Sequence, residues 1–378
     1  MRQTPAASRR PRSGRVFVLA TDAHGRPGGI AQYNRDVLEA MSQSDWVDEI
    51  MVLARLIDTR LFAPPEKVRY DLGSGRGLIR FLFRCAISAL FGGPVSLVYC
   101  AHLNLLPAAT LVAWARRAPL VLAIYGIDAW SPPKSPLTRW CARRCPHVIS
   151  ISQITLNRFM AWAGDGARSY SILPNAIRTS AYGQGAGRGD LAGRLGLQGR
   201  TVIMTFGRMS ADEHYKGFDE VLEVLPRLRE RVPGIAYLIV GDGSDRQRLA
   251  AKAENIGVSD LVVFAGRVSE EEKADHYRLA DAYVMPSSGE GFGFVVLEAL
   301  ACGLPVVASS IDGTREAVRC GELGILVDPE DRVALEGAIL DALSRPKGVP
   351  PGLEYFSFSN FENRLNAAVA RMVQPGLA

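Results

Sequence analysis

Two glutamates eight positions apart, Glu290 and Glu298, bracket the start of the segment GEGFGFVVLEALACGLPVVAS (289–309). Gly291 and Gly293 lie between them with Phe292 and Phe294, and the absence of side chains at the glycines lets backbone come close to a ligand. The apolar run that follows reads as a helix, whose first-turn N–H groups favour an anion. The spacing therefore describes a phosphate-binding turn. Glu290 stands in the turn, and Glu298 stands about one turn into the helix, placed to accept hydrogen bonds from two adjacent sugar hydroxyls. A glutamate near a helix N-terminus also gains from the helix dipole, and two glutamates alone do not separate the two accounts.

A second constellation supplies the opposite charge. In GRMSADEHYKG (207–217), Gly207 ends a strand pattern and Gly217 opens the next helix, so Arg208 and Lys216 flank one loop and point at the same crevice. Two cations beside exposed amides suit a phosphate-bearing anion. With no convincing Asp-x-Asp motif to hold a divalent ion, independence of metal is expected. Gly241 and Gly243 in GDGSD (241–245) read first as turn formers and then as ligand contacts, and FAGRVS places Gly266, Arg267 and Val268 at another strand end. In the first half, HGRPGGIAQYNR (24–35) ends a strand and opens a helix, so Gly28 and Gly29 suit close approach to a sugar phosphate. A dinucleotide-binding loop is the competing account, but no Gly-x-Gly-x-x-Gly pattern is present.

These residues need a scaffold that brings strand ends together. Short β-branched runs alternate with longer helical patterns, the signature of parallel βαβ units. Strands are predicted at 15–21, 96–100, 120–126 and 147–152 in one sheet and at 201–207, 236–241, 261–266, 282–287 and 305–309 in a second. The fold class is α/β, with two Rossmann-like doubly wound domains. The boundary is placed in 172–190, where a strand ends at Pro174-Asn175 and small residues follow. The expected domains are 1–175 and 176–354, with a C-terminal helix in 355–378 that can pack on either, the first included.

At 378 residues, two cores are the default, and 48% apolar with 22% charged residues excludes a disordered or fibrous chain. Residues 1–175 hold 22 Lys+Arg against 11 Asp+Glu, whereas the remainder is net acidic. A basic first half predicts an anionic partner such as a phospholipid surface or a lipid diphosphate. Arg76, Arg80 and Arg84 share one stripe of a helix in GSGRGLIRFLFRCAISALFGG (73–93), suited to an anionic membrane or a polyprenyl diphosphate; an ordinary surface helix is the alternative. Six cysteines in a chain this long make no disulfide framework, and Cys141 and Cys145 alone make no metal site. No apolar run spans a membrane and no secretory signal is evident. A reducing cytoplasm, with peripheral contact to the inner membrane, is therefore expected.

The segment 289–309 resembles the Glu-x7-Glu segment of retaining glycosyltransferases of family 4. FGRMSADEHYKGFDEVLEVL (206–225), YLIVGDGSDRQRL (237–249), VVFAGRVSEEEKADHYRLADAYVMPSS (262–288) and RPGGIAQYNRDV (26–37) follow in the same order. The resemblance implies a GT-B fold, two facing Rossmann-like domains with a cleft between them, the second binding a nucleotide sugar and the first an acceptor. It implies that Arg208 and Lys216 hold the donor diphosphate and that backbone at Gly266, Arg267 and Val268 grips the base, so that GDP- and UDP-linked donors are not distinguished. Many members carry a histidine where this chain has Tyr125 in IYGIDAW, which moves weight to Asp128 and the Tyr125 carbonyl; His102 reads as an ordinary loop histidine. Members of this appearance extend bacterial surface polysaccharides on lipid carriers. The expectation is a retaining hexosyltransferase, α-mannosyl from GDP-mannose first, acting on a polyprenyl diphosphate-linked glycan. UDP-glucose or UDP-N-acetylhexosamine transfer, a GT-B sugar-nucleotide epimerase and a nonenzymatic glycan- or nucleic-acid-binding protein are the other readings; nucleic acid is not expected as a partner.

Overall fold

The computed structural model describes residues 14–24, 28–58, 64–75, 77–91, 93–165, 169–185 and 187–373. Aliphatic runs such as VFVLA and IAYLIV are buried along their whole length, as strands covered on both faces must be. They form two parallel sheets. The first contains β1 (Gly14–Asp22), β2 (Val47–Leu56), β3 (Val68–Tyr70), β4 (Val95–Cys100), β5 (Leu120–Ile124), β6 (His147–Ser150) and β7 (Ser169–Ile172), in the order β3-β2-β1-β4-β5-β6-β7. The second contains β8 (Thr201–Phe206), β9 (Ile235–Val240), β10 (Val262–Gly266), β11 (Ala282–Met285), β12 (Val306–Ser309) and β13 (Ile325–Val327), in the order β10-β9-β8-β11-β12-β13.

Each sheet reverses its winding beside its first strand, between β1 and β4 and between β8 and β11. Loops leaving the carboxyl ends of those strands diverge and open a crevice, the usual place for a ligand in such a sheet. The Gly28-Gly29 loop follows β1, the Arg208–Lys216 loop follows β8, and the Glu290 loop follows β11.

Four strands depart from the sequence reading. β2 carries Asp48, Glu49 and Arg55 among its apolar residues, Glu49 accepting from Arg15 of β1 at 2.6 Å, and these charges interrupt the pattern. β3 and β13 are three residues long, too short to carry a period. β7 is SYSI, half-buried throughout: the sequence shows a strand ending at Pro174-Asn175, but no period that sets its bounds.

The chain divides into two compact units, one of residues 1–150, 158–173 and 361–378, the other of 151–157 and 174–360. Against the contiguous expectation of 1–175 and 176–354, the second unit thus begins earlier, with 151–157, and the chain returns to the first at 361. That return is carried by the helix Phe358–Val373. Phe361 meets the Tyr33 ring edge-on at 5.6 Å, and Asn366 Oδ1 accepts from Ser44 Oγ at 2.5 Å and Trp46 Nε1 at 3.3 Å. Among the described residues no helix is long and apolar enough to cross a membrane.

Candidate functional site

In the second unit, backbone packing fixes the loops before any side chain acts. Gly207 N–H donates to Val240 O at 2.9 Å, Met209 N–H to Asp242 O at 3.2 Å and Asp245 N–H back to Met209 O at 3.0 Å, so the loops after β8 and β9 are bound main chain to main chain. A Cβ at Gly241, whose φ is 130°, would stand 1.9 Å from Gly207 O, and one at Gly243 would stand 1.9 Å from Met209 O. Gly241 N–H also reaches Gly266 O at 2.8 Å, joining the turn to the end of β10. Arg267 is exposed beyond it and Val268 is half-buried.

The loop after β8 ends in a short turn, His214–Lys216, and Gly217 at φ 86° opens the helix Phe218–Arg231. The Lys216 stem crosses Gly207, where a Cβ would lie 3.3 Å from Lys216 Cδ. Its ammonium meets Glu290 Oε1 at 2.5 Å and Glu213 Oε2 at 3.6 Å. The Arg208 guanidinium bonds to Glu213 as well. The two cations therefore converge on one carboxylate, Glu213, which sequence reasoning did not single out.

The glycine turn after β11 is clamped from a neighbouring loop. Asp312 Oδ2 accepts from Ser287 Oγ at 2.7 Å and from Glu290 N–H at 2.8 Å, and its Oδ1 accepts from Thr314 N–H at 3.0 Å and Thr314 Oγ1 at 2.6 Å. Gly313 N–H donates to Glu290 O at 2.8 Å, and Ser152 Oγ donates to Gly291 O at 2.8 Å. Burial raises the Asp312 carboxyl to about 6, its hydrogen bonds opposing in part. Phe292 is buried edge-on against Phe356, so only its backbone is available to a ligand. Phe294 begins the helix Phe294–Ala301 behind a Gly293 at φ 96°. The N–H groups of Gly291, Phe292 and Gly293 have no acceptor among the described residues, an arrangement that favours an anion.

Glu298 is buried in that helix. Tyr277 O–H donates to its Oε2 at 2.8 Å and Lys273 Nζ to its Oε1 at 3.2 Å. Burial works against the Lys273 ammonium, but Glu298 and Glu270 outweigh it and hold its pKa above the ordinary value. Burial, then Glu298, raises the Tyr182 and Tyr277 hydroxyls. Lys273 and Tyr277 were missed in the sequence; their i,i+4 spacing on one helix face was the available signal.

In the first unit, Gly28 caps the helix Gly29–Gln43, its carbonyl accepting from Gln32 N–H at 2.9 Å. His24, buried just past β1, bonds to the Tyr70 hydroxyl, and burial with Arg35 nearby lowers it to about 3, leaving it neutral. The Tyr125 side chain is buried: its hydroxyl donates to Asn34 Oδ1 at 2.8 Å and its ring meets Tyr33 edge-on at 5.3 Å. The phenol is thus committed to the core, which leaves the backbone carbonyl, the group on which the expectation rested. Asp128 lies in the short helix Ile127–Trp130, and its Oδ2 is buried with no hydrogen-bond partner among the described residues. Burial raises it to about 7, backbone N–H groups of its own turn opposing. His102 Nδ1 accepts from Asn104 N–H at 3.1 Å, a capping role. Arg80 is exposed, Arg84 Nε is tied to Asp71 Oδ2 at 2.6 Å, and Arg76 lies outside the described residues. The expected arginine stripe is thus incomplete, because Asp71 draws one member aside.

Comparisons with known proteins bear on the family and the fold. The model "Glycosyl transferases group 1" matches residues 197–350, and "Glycosyltransferase Family 4" matches residues 27–181. The chain is 35% identical over 257 residues to the GDP-mannose-dependent alpha-(1-6)-phosphatidylinositol monomannoside mannosyltransferase of Mycolicibacterium smegmatis, across 64% of this chain and 66% of that one. It is 38% identical over 172 residues to the phosphatidyl-myo-inositol mannosyltransferase of Mycobacterium leprae, across 45% and 43%. The chain thus spans less than two thirds of these relatives' own length. In fold it is similar to Anabaena HepE in complex with UDP-glucose, with a TM-score of 0.73 and 21% identity over 94% of this chain and 99% of that one. Matched in both halves by glycosyltransferase models and sharing the two-sheet GT-B fold, the chain belongs to the glycosyltransferases of family 4 type.

Proposed function

We propose that the protein is a retaining hexosyltransferase that moves a mannosyl unit from GDP-mannose to an acceptor carried on a lipid. One observation carries this reading: Lys216, Glu290 and the unpartnered amides of Gly291, Phe292 and Gly293 meet at the switch point between β8 and β11. A diphosphate placed there draws the Lys216 ammonium from Glu290, gains the amides and Arg208, and freezes no solvent as its charge develops. Glu298, held by Lys273 and Tyr277, accepts from the ribose hydroxyls.

In the proposed step, an acceptor hydroxyl forms a bond to the anomeric carbon while the bond to the diphosphate oxygen breaks on the same face. The acceptor proton passes to the departing phosphate oxygen, and Glu290 orients sugar hydroxyls and balances the positive charge at the anomeric carbon. No carboxylate is cast as a nucleophile. With Lys216 and Arg208 supplying positive charge, the reaction is proposed to need no metal ion, and chelation with EDTA is expected to leave the rate unchanged.

The acceptor is proposed to be a polyprenyl diphosphate-linked glycan. The names of the mannosyltransferase relatives favour a second reading, a phosphatidylinositol lipid, which shares the anionic head group. Incubation with labelled GDP- and UDP-sugars, with polyprenyl diphosphate glycan or with phosphatidylinositol, separates these. Transfer to neither lipid refutes the acceptor class, epimerisation without an acceptor refutes transfer, and absence of nucleotide binding refutes the site.

A further inference from the structure

The stretch between Leu72 and Gly164 carries ten lysines and arginines against one acidic residue, Asp128, and four of the five tryptophans of the chain. Among the described residues, eleven of the eighteen exposed large hydrophobic side chains fall between Leu78 and Trp140. In the second unit such residues are scattered singly, as on most surfaces. In the first unit they gather on three helices, Leu78–Leu90, Leu106–Arg116 and Pro136–Ala142, packed side by side.

The first helix buries Phe81, Cys85 and Ala89 and turns Ile79, 84% exposed, and Phe83, 63% exposed, to solvent. Next to its end, Trp114 is 78% and Trp140 50% exposed. They border an open groove of about 840 Å³ whose rim also holds Leu90, Arg117 and Arg144. The Arg144 guanidinium lies 4.5 Å over the Trp140 ring. None of Arg80, Arg117 and Arg144 has a carboxylate partner among the described residues. Exposed tryptophans seated among unpaired arginines, with bare aliphatic side chains between, match the boundary of an anionic bilayer, where indole rings settle at headgroup depth and arginines meet lipid phosphates.

We propose that this three-helix face docks the protein on an anionic phospholipid surface, with Trp114 and Trp140 inserted at headgroup depth and Arg117 and Arg144 against the phosphates. The inference deepens the membrane part of the functional reading and does not depend on the identity of the donor. It also moves the contact away from the Arg76–Arg84 stripe, since Arg84 is committed to Asp71.

Flotation of the full chain with phosphatidylcholine vesicles, and with equimolar phosphatidylcholine–phosphatidylglycerol vesicles, tests it. The chain is expected to float with the anionic vesicles only, and less so as salt is raised. The double variants W114A/W140A and R117E/R144E are each expected to weaken this partition about tenfold or more, two arginines near a charged surface each counting for about a factor of five. GDP binding, measured on the same preparations, is expected to stay at the wild-type level and serves as the check of folding. Failure of the wild type to float, or flotation of both variants like the wild type, overturns the proposal. Flotation without GDP binding leaves this face intact and removes the transferase site instead.

Discussion

Lys216 Nζ stands 2.5 Å from Glu290 Oε1, joining residues 74 positions apart across the switch point of the second sheet. Both side chains are largely withdrawn from water, 14% and 18% exposed, so each is the other's main compensation for lost solvation. A ligand diphosphate that takes Lys216 must leave Glu290 another partner, and the sugar hydroxyls are suited to be one. Lys216→Ala is expected to lower kcat/KM by about 10² or more, and Glu290→Gln to act mainly on kcat. Because the two groups share one contact, their effects are expected to be non-additive by about 1–3 kcal/mol. A double-mutant cycle on transfer rate and on GDP affinity measures this, and full additivity would show that the pair does not act together.

Asp312 opposes stability to activity. Folding raises its carboxyl from 3.8 to about 6, so its contribution to stability is complete below 3.8 and is lost as pH rises through about 6. The site needs the other form, since Ser287, Thr314 twice and Glu290 all donate to it. Protonation takes away an acceptor position and loosens the glycine turn. An acidic limb near pH 6 is expected in kcat/KM, and Asp312→Asn is expected to erase that limb while lowering the plateau by about tenfold to a hundredfold. A limb unchanged in the variant assigns it to another group.

The cations and glutamates of the second domain were legible because each sits in a contiguous motif: Gly207, Arg208, Lys216 and Gly217 in one loop, Glu290 to Glu298 in another. What the sequence left hidden is what acts across distance. Asp312 is 22 residues from Glu290, and Lys273 is 25 from Glu298, and neither reads as more than a surface charge until the loops are folded. The Asp-Gly-Thr run at 312–314 carried a faint turn signal. Tyr125 is the converse case: resemblance singled out its carbonyl, and no local pattern showed that its phenol turns inward to bond Asn34.

Two glycines beside the loops of the candidate site also close the fold. Gly313 would place a Cβ 2.1 Å from Gly291 O, and Gly241 would place one 1.9 Å from Gly207 O. Neither neighbour can yield, because both belong to backbone already bonded elsewhere. Gly241→Ala and Gly313→Ala are each expected to destabilise the second domain by about 2–4 kcal/mol. Gly28→Ala serves as the comparison, since no atom of the described residues lies within 4 Å of a Cβ there, although its backbone angle still disfavours a side chain. Denaturant melts of the three variants, ranked with Gly28→Ala mildest, decide the point.

Asp128 offers the sharpest test of the first domain. Its Oδ2 is buried without a partner among the described residues, and burial raises the carboxyl from 3.8 to about 7. By linkage, its contribution to stability is complete below 3.8 and is lost as pH rises through about 7. At higher pH the fold carries an ionised, incompletely bonded carboxylate, a cost a protein keeps where function needs the charge. Asp128→Asn is therefore expected to raise the melting temperature at about pH 8 and to flatten its dependence between 3.8 and 7. If the ionised carboxylate orients an acceptor or sugar hydroxyl, the same variant loses about 10²-fold in kcat and its acidic limb near 7. Higher stability without loss of rate would leave Asp128 outside the reaction.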